Sequence, residues 1–139
     1  MGCYNSAVVP APIDQVWARL RDFHDLSAFP NVVQKAEKVG EATGNQIGAK
    51  RVLNDAFHET LLALDEDAHV IRYSIDDGPE ATSQDNATGY VGQVQAFAVT
   101  ADDTTFVLWT STWDSGEGVA EFCNPIYQAL LGDLQQTFS

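Results

Sequence analysis

Apolar residues recur at helical spacing in two segments of the chain. Over residues 13–23 they lie three and four positions apart, which predicts an amphipathic helix with one buried face. Residues 118–138 carry a longer stripe of the same kind, which predicts the longest helix of the protein. Pro125 interrupts this second stripe, so we expect the helix either to bend there or to begin anew after Asn124.

Between the two stripes the pattern changes to short runs in which apolar and polar residues alternate. Alternation with a period of two predicts strands, and residues typical of turns, mainly Gly, Asn and Asp, separate the runs. A further strand precedes the first helix, and a second short helix is predicted over residues 24–29, before Pro30. The predicted strands cover residues 4–9, 32–39, 47–54, 57–64, 70–76, 90–100 and 104–113.

The order of these elements is one strand, two short helices, six strands and one long helix. It predicts an α+β fold made of a single domain over residues 1–139. We expect about seven antiparallel strands in a curved sheet that wraps around the C-terminal helix. A helix on a strongly curved sheet leaves space between the two, so the expected product is an apolar cavity above about 300 Å³, the lower end of ordinary small-molecule sites.

Charge and cysteine content narrow the range of partners. Twenty acidic residues against seven basic ones give a formal net charge of -13, which disfavours nucleic acids and anionic membrane surfaces. Cys3 and Cys123, the only cysteines, stand in no metal-binding or disulfide pattern, so we expect no metal and no cofactor. No apolar stretch reaches the roughly 20 residues of a membrane span. These features predict a cytoplasmic protein, monomeric or homodimeric, although residues 1–6 also fit a myristoylation pattern.

Several short motifs follow one another in an order that is more informative than any one of them. They are APIDQVWA at residues 11–18, DFHDLS at 22–27, FP at 29–30, GAKR at 48–51, HETL at 58–61, LD at 64–65, YSI at 73–75, GP at 78–79, TFVLW at 105–109 and TWD at 112–114. With these motifs in this order, the sequence resembles the START-like, or SRPBCC, superfamily. The similarity is greatest to its polyketide cyclase/dehydrase-type and plant major-latex-protein-like branch.

This resemblance implies a helix-grip fold with an internal cavity for hydrophobic or amphipathic ligands. It implies no particular reaction, because members that resemble this chain include cyclases, dehydratases, lipid carriers and hormone receptors. The polar segment at residues 80–88 departs from the branch, in which a short hydrophobic link is usual. The resemblance therefore does not predict the shape of the cavity mouth.

Aromatic and apolar residues of the inner faces are the candidate ligand contacts. Strand alternation puts Trp109 and Trp113 on one side of the last strand, and the resemblance selects that side as the inward one. Tyr73 belongs to the YSI motif, and a bent C-terminal helix would bring Phe122 and Ile126 over the cavity. For both tryptophans the alternative is packing in the core.

Arg51, Glu59 and His58 are the candidates for chemistry. Arg51 and Glu59 lie on neighbouring strands joined by a tight turn, where an ion pair could orient a polar ligand group or tune the carboxyl for proton transfer. If Leu53 faces His58 across the turn, however, Arg51 and Glu59 point to opposite sides of the sheet, unless a bulge changes the register. The alternative for the two residues is a surface pair of little consequence. His58 then shares the face of Arg51, as a general base or as an ordinary surface histidine.

Two functions follow from these residues. The first is binding of a small hydrophobic or amphipathic molecule in the internal cavity. The second is a metal-independent enzyme of the cyclase or dehydratase type, acting on a polyketide-like or other carbonyl compound. In the enzyme, Arg51 would polarise the carbonyl group, and Glu59 or His58 would move a proton.

Overall fold

Seven strands and two α-helices make up the protein, whose computed structural model describes residues 1–139. The helices are α1 (Ile13–Leu20) and α2 (Val119–Thr137), and Glu80–Thr82 forms one 3₁₀ turn. The strands are β1 (Gly2–Val9), β2 (Ala36–Val39), β3 (Lys50–Leu53), β4 (Phe57–Asp65), β5 (Val70–Asp77), β6 (Val91–Val99) and β7 (Thr104–Thr112). The predicted α+β class and number of strands are confirmed.

The strands form one antiparallel sheet in the spatial order β1-β7-β6-β5-β4-β3-β2. Strands β2 to β7 follow one another as a meander, and β1 pairs with β7 at the far edge. Helix α2 packs against β1 and shares a single core with the inner face of the sheet. Neither helix combines the length and the apolar character needed to cross a membrane.

The buried side chains follow the periodicities of the sequence. In α1, Val16, Trp17 and Leu20 are buried, as the helical spacing predicts. Along β7 and just beyond it, alternate side chains are buried, and the Trp109 side of this strand therefore faces inward. These inward residues are Thr105, Val107, Trp109, Ser111 and Trp113.

Residues 24–29 form turns rather than the short helix that the sequence predicts. The side-chain oxygens of Asp22 and Asp25 accept hydrogen bonds from the backbone N–H groups of His24 and Ser27, at 2.9 and 3.0 Å. Aspartate side chains that bind the backbone two residues further on compete with helical hydrogen bonds. The segment is therefore held as consecutive Asx turns.

Strand β2 begins at residue 36, later than the predicted start at residue 32. The backbone N–H of Val32 donates to the carboxylate of Asp133 on α2 at 3.0 Å. The N–H groups of Gln34 and Lys35 both donate to the side-chain oxygen of Asn54, at 2.9 and 3.1 Å. Because side chains occupy these donors, the segment runs between α2 and the β3–β4 turn without pairing as a strand.

Helix α2 is continuous and contains Pro125 in its interior, so the alternative of a new helix that begins after Asn124 is wrong. The side chain of Asn124 instead accepts a hydrogen bond from Asn5 Nδ2 on β1 at 2.9 Å. Pro125 lies on the exposed side of the helix. The N-terminal half of α2 is thereby fixed against β1.

Candidate functional site

The turn between β3 and β4 decides which side chains of the two strands meet. Asn54 and Asp55 have positive φ angles of 54° and 55°, and the turn contains three residues. Leu53 therefore pairs with Phe57. The expected register, with Leu53 opposite His58, is wrong because the turn is one residue shorter than assumed.

The observed register places Arg51 directly opposite Glu59. The guanidinium Nε donates to Glu59 Oε1 at 2.8 Å, and Nη2 lies 2.7 Å from the same oxygen. Nη1 donates to the backbone oxygen of Phe23 at 2.8 Å, and the guanidinium carbon lies 3.8 Å from the centre of the Phe23 ring and 5.5 Å from that of Tyr73. Arg51 and Glu59 are 9% and 6% exposed, so the expectation of a surface pair is wrong.

His58 precedes Glu59 on β4, and its side chain lies on the opposite face of that strand. It pairs with Val52, and its side chain is exposed on the outside of the sheet. Because the turn is one residue shorter than assumed, the expectation that His58 shares the face of Arg51 is wrong. It is a surface histidine.

A cavity lies between α2, strands β3 to β5 and the segment at residues 26–33. Twelve of its 15 lining residues are hydrophobic, and Arg51 and Glu59 are the charged ones. The volume of the cavity is about 60 Å³. The lining residues are Leu26, Val32, Val33, Arg51, Leu53, Asn54, Phe57, Glu59, Tyr73, Ile75, Trp109, Cys123, Ile126, Tyr127 and Leu130.

The cavity volume of about 60 Å³ is smaller than the expected 300 Å³. Aromatic rings fill much of the gap between helix and sheet. Trp109 packs against Tyr127 and Phe29, with ring centres 5.4 and 5.8 Å apart. A ligand of more than a few atoms therefore requires the half-buried side chains of the wall, such as Val33 and Phe57, to move outward.

Three tyrosines and a tryptophan form a hydrogen-bonded chain along the cavity. Trp109 Nε1 donates to the Tyr73 hydroxyl at 2.9 Å, which lies 3.4 Å from the Tyr127 hydroxyl, and Tyr127 is bonded in turn to Tyr90. Burial raises the pKa of Tyr73 well above its ordinary value. Gly92 provides room for the Tyr73 ring, because a Cβ at this position would lie 2.4 Å from Tyr73 Cζ. This part of the wall is therefore neutral and closely packed.

Burial raises the pKa of Glu59 above the ordinary value of a glutamate. The charge and hydrogen bond of Arg51 lower it in part, and the charge of Asp76 raises it further. Glu59 therefore takes up a proton more readily than a glutamate in water. Cys123 lines the same cavity, but burial raises the pKa of its thiol to about 11, so it is not a nucleophile near neutral pH.

The predicted ligand contacts have separate places in the structure. Phe122 lies beside the wall, where its ring stacks on Phe57 with centres 6.5 Å apart. Trp113 lies deeper and stacks on Tyr90 at 5.8 Å, and its indole nitrogen is buried without a hydrogen-bond partner. The residues that do line the cavity are Arg51, Tyr73, Trp109 and Ile126.

Tyr127 is one of the cavity residues that the sequence pattern did not predict. On α2, Cys123, Ile126, Tyr127 and Leu130 lie on the face that lines the cavity. Their spacing is that of one helical stripe, and the stripe predicted from apolar residues omits Tyr127 because of its hydroxyl. A tyrosine in register with buried apolar residues is the signal that would have identified it.

The polar segment at residues 80–88 contributes nothing to the cavity wall. Its 3₁₀ turn packs on α2, and Asn86 Nδ2 donates to the backbone oxygen of Glu117 at 2.9 Å, just before that helix. The segment therefore supports the start of α2 rather than shaping the mouth. No group of three or more His, Cys, Asp or Glu side chains is arranged to hold a metal ion.

Comparison with known proteins agrees with this architecture. Residues 3–139 match the family described as polyketide cyclase/dehydrase and lipid transport. The structure of a protein from Nitrosospira multiformis is 42% identical in sequence, the alignment covers 100% of this chain and 97% of that one, and the TM-score is 0.97. No protein with a curated description matches the sequence.

Two more distant structures support the fold alone. An uncharacterised protein from Bacillus thuringiensis is 21% identical, with 99% of this chain and 98% of that one covered and a TM-score of 0.81. A protein from Thermobifida fusca is 22% identical, with 99% and 92% covered and a TM-score of 0.77. Since the family match spans nearly the whole chain, this protein belongs to the SRPBCC-type polyketide cyclase/dehydrase and lipid transport family.

Proposed function

We propose that the protein binds a small, mostly apolar molecule with one polar group, in the cavity between α2 and the sheet. The observation that carries this proposal is the buried pair of Arg51 and Glu59 in an otherwise hydrophobic wall. Taking two charges out of water is costly, and well-packed hydrophobic residues would serve stability at least as well. The pair therefore supports recognition of a polar group. The family description, which includes lipid transport, supports an apolar ligand.

The size of the cavity determines how such a ligand enters. About 60 Å³ holds only a few atoms, so a lipid-sized molecule needs a wider recess. Leu26, Val33, Phe57 and Ile126 are half-buried and belong to different segments of the chain. Rotation of these side chains would widen the recess without breaking any hydrogen bond of the sheet.

Proton transfer to or from a bound carbonyl compound is a second candidate function. The raised pKa of Glu59, in a carboxyl that borders the cavity, favours it. Arg51 would hold the carbonyl oxygen, and Glu59 would move the proton. His58 has no part in this reaction because its side chain is on the outer face of the sheet.

Native mass spectrometry of the protein purified from its own host tests the binding proposal. We expect a species heavier than the chain by the mass of one small molecule, which denaturation releases. Ile126→Phe adds bulk inside the cavity and is expected to reduce this species, whereas Ala129→Phe, on the exposed side of the same helix, leaves it unchanged. Protein that carries no molecule, and takes up none from an apolar extract of the host, would contradict the proposal.

The released molecule also distinguishes the two functions. When it and its carbonyl-containing precursors are returned to fresh protein, a binding protein leaves their masses and structures unchanged. An enzyme converts one of them, and Glu59→Gln is expected to abolish that conversion. Glu66→Gln, which changes a surface glutamate, is the matched control and retains it.

A further inference from the structure

We infer that the cavity selects a neutral ligand that donates a hydrogen bond, an alcohol or a phenol, and rejects carboxylates. This inference rests on the proposed binding function and adds the chemical class of the ligand's polar group. Its basis is the hydrogen bonding of Glu59, whose carboxylate forms part of the cavity wall.

Both contacts between Arg51 and Glu59 fall on the same carboxylate oxygen. Nε and Nη2 lie 2.8 and 2.7 Å from Oε1, and Oε2 accepts no hydrogen bond from the protein. Only Ser111 and Trp113 have a side-chain polar atom that is inaccessible to solvent and lacks a hydrogen-bond partner. Oε2 is therefore accessible, and because Glu59 lines the cavity, this oxygen borders it. A carboxylate oxygen accepts hydrogen bonds only, and leaving it without a donor is unfavourable.

Asn54 and the tyrosines of the wall already have partners. The side-chain oxygen of Asn54 accepts from two backbone N–H groups, and its amide donates to a backbone oxygen at 2.9 Å. The hydroxyls of Tyr73 and Tyr127 belong to the tyrosine chain. Arg51 carries five N–H donors, of which Nε–H donates to Glu59 and one N–H of Nη1 donates to Phe23, while Nη2 contacts Glu59 as an ion pair. What the wall offers is the free oxygen of Glu59 beside the remaining N–H groups of Arg51, so a ligand has to supply a donor, and a hydroxyl, which both donates and accepts, matches the two.

The charge balance of the site disfavours ionic ligands. Arg51 is the only cation of the wall, and Glu59 neutralises it one for one. A carboxylate ligand would bring a second anion to one buried guanidinium, and the chain's net charge of -13 would repel it on approach. An ammonium would place a second cation beside Arg51, and a ketone would face Oε2 with an acceptor. A neutral hydroxyl meets none of these penalties.

Calorimetric titration with four eight-carbon compounds that differ in their polar group tests this inference. The compounds are 1-octanol, 2-octanone, octanoate and octylamine. We expect 1-octanol to bind about tenfold or more tightly than each of the other three, as one hydrogen bond to a charged acceptor provides. If another compound binds as tightly as 1-octanol, the inference is overturned and the proposed function stands. If none of the four binds up to its solubility limit, the proposed function itself is overturned.

Glu59→Gln is designed to reverse the preference. Without the carboxylate, the charge of Arg51 is unbalanced, so octanoate is expected to gain about tenfold in affinity and 1-octanol to lose about tenfold. Glu66→Gln removes one negative charge from the exposed pair with Arg21 and is expected to keep the wild-type order. An unchanged order in Glu59→Gln overturns the inference. If that variant does not fold, the ranking of the four compounds on the wild-type protein decides.

Discussion

Two arginine–glutamate pairs of this protein have the same chemistry in opposite surroundings. The side chains of Arg51 and Glu59 are 10% and 6% exposed, whereas those of Arg21 and Glu66 are 41% and 46% exposed. Burial raises the pKa of Glu59 even though a guanidinium touches it. Hydrogen bonds from Arg21 and Trp17 lower the pKa of Glu66 to about 2. In the buried pair, desolvation of the carboxyl therefore outweighs the charge of its partner.

The two pairs also differ in what their hydrogen bonds accomplish. Glu66 accepts from Trp17 Nε1 at 2.8 Å and from Arg21 through both carboxylate oxygens, so its capacity is used within the fold. Glu59 accepts through Oε1 alone and keeps Oε2 for the cavity. In the exposed pair, Glu66 accepts the hydrogen bond of the buried Trp17 indole. In the buried pair, Oε2 of Glu59 is available to a ligand.

Arg51→Met is expected to have the largest effect, because it leaves Glu59 charged and unpaired in the interior. The free energy of unfolding should fall by roughly 3–5 kcal/mol, measured by urea denaturation. Arg21→Met, in the exposed pair, is the control and should change stability far less. Equal losses in the two variants would show that burial does not distinguish the pairs.

The double variant Arg51→Met/Glu59→Leu sharpens this result. It removes both charges and fills the space with apolar atoms, so most of the stability lost in Arg51→Met should return. The same urea measurement checks it. A double variant as unstable as the single one would mean that the loss comes from packing or from the hydrogen bond to Phe23, not from an unpaired charge.

Asp133→Asn is expected to have an intermediate effect, because Asp133 is a buried carboxylate held by neutral donors. It accepts from the backbone N–H groups of Asn31 and Val32 at 2.8 and 3.0 Å, and from the Asn31 side chain at 2.7 Å. An asparagine keeps only one acceptor oxygen and carries no charge, so these donors lose a charged acceptor, which should cost about 1–3 kcal/mol in urea denaturation. A variant as stable as the wild type would argue against this account of the segment.

Salt should separate the two pairs further. The Debye length falls from about 10 Å at 0.1 M salt to about 3 Å at 1 M, which screens exposed charges much more than buried ones. Double-mutant cycles at both salt concentrations should show a coupling energy between Arg51 and Glu59 that persists, and one between Arg21 and Glu66 that declines towards zero. A coupling energy that declines with salt for Arg51 and Glu59 but persists for Arg21 and Glu66 would contradict this account of the two pairs.

Glu66→Gln is expected to have the smallest effect, visible mainly in acid. The pKa of Glu66 is about 2 in the folded protein, compared with an ordinary value of 4.5. Its stabilising contribution is therefore complete above pH 4.5 and is lost as the pH falls towards 2. The variant should show a flatter pH dependence of stability in that range, by thermal unfolding at several pH values. An acid limb identical to that of the wild type would contradict the lowered pKa.

The fold follows from the sequence wherever the signal is local. The alternation along β7 and the helical spacing of α1 predict their buried faces, because each pattern lies within its own element. The start of β2 could not be predicted in this way. The donors of Val32 and Lys35 are taken by Asp133 and Asn54, which lie 101 and 19 residues away along the chain.

The site was harder to predict because it depends on whether the turn between β3 and β4 has three or four residues. Arg51 and Glu59 can be identified as a pair because they have opposite charges and lie on neighbouring strands. The register of β3 on β4, however, is set by the turn, in which Asn54 and Asp55 have positive φ angles. One more residue in that turn would put the guanidinium and the carboxylate on opposite faces of the sheet. The cavity volume was overestimated for a related reason, since the packing of rings such as Trp109 depends on contacts that no local pattern contains.

The most direct test of the central claim, that ligand binds in the cavity beside Trp109, uses the three indole N–H groups as reporters. Trp109 lines the cavity, whereas Trp17 and Trp113 lie elsewhere in the core. In a ¹⁵N-labelled sample titrated with 1-octanol, the Trp109 Nε1–H signal should shift saturably while the other two change little. A saturable shift of Trp17 or Trp113 without one of Trp109 would contradict the claim.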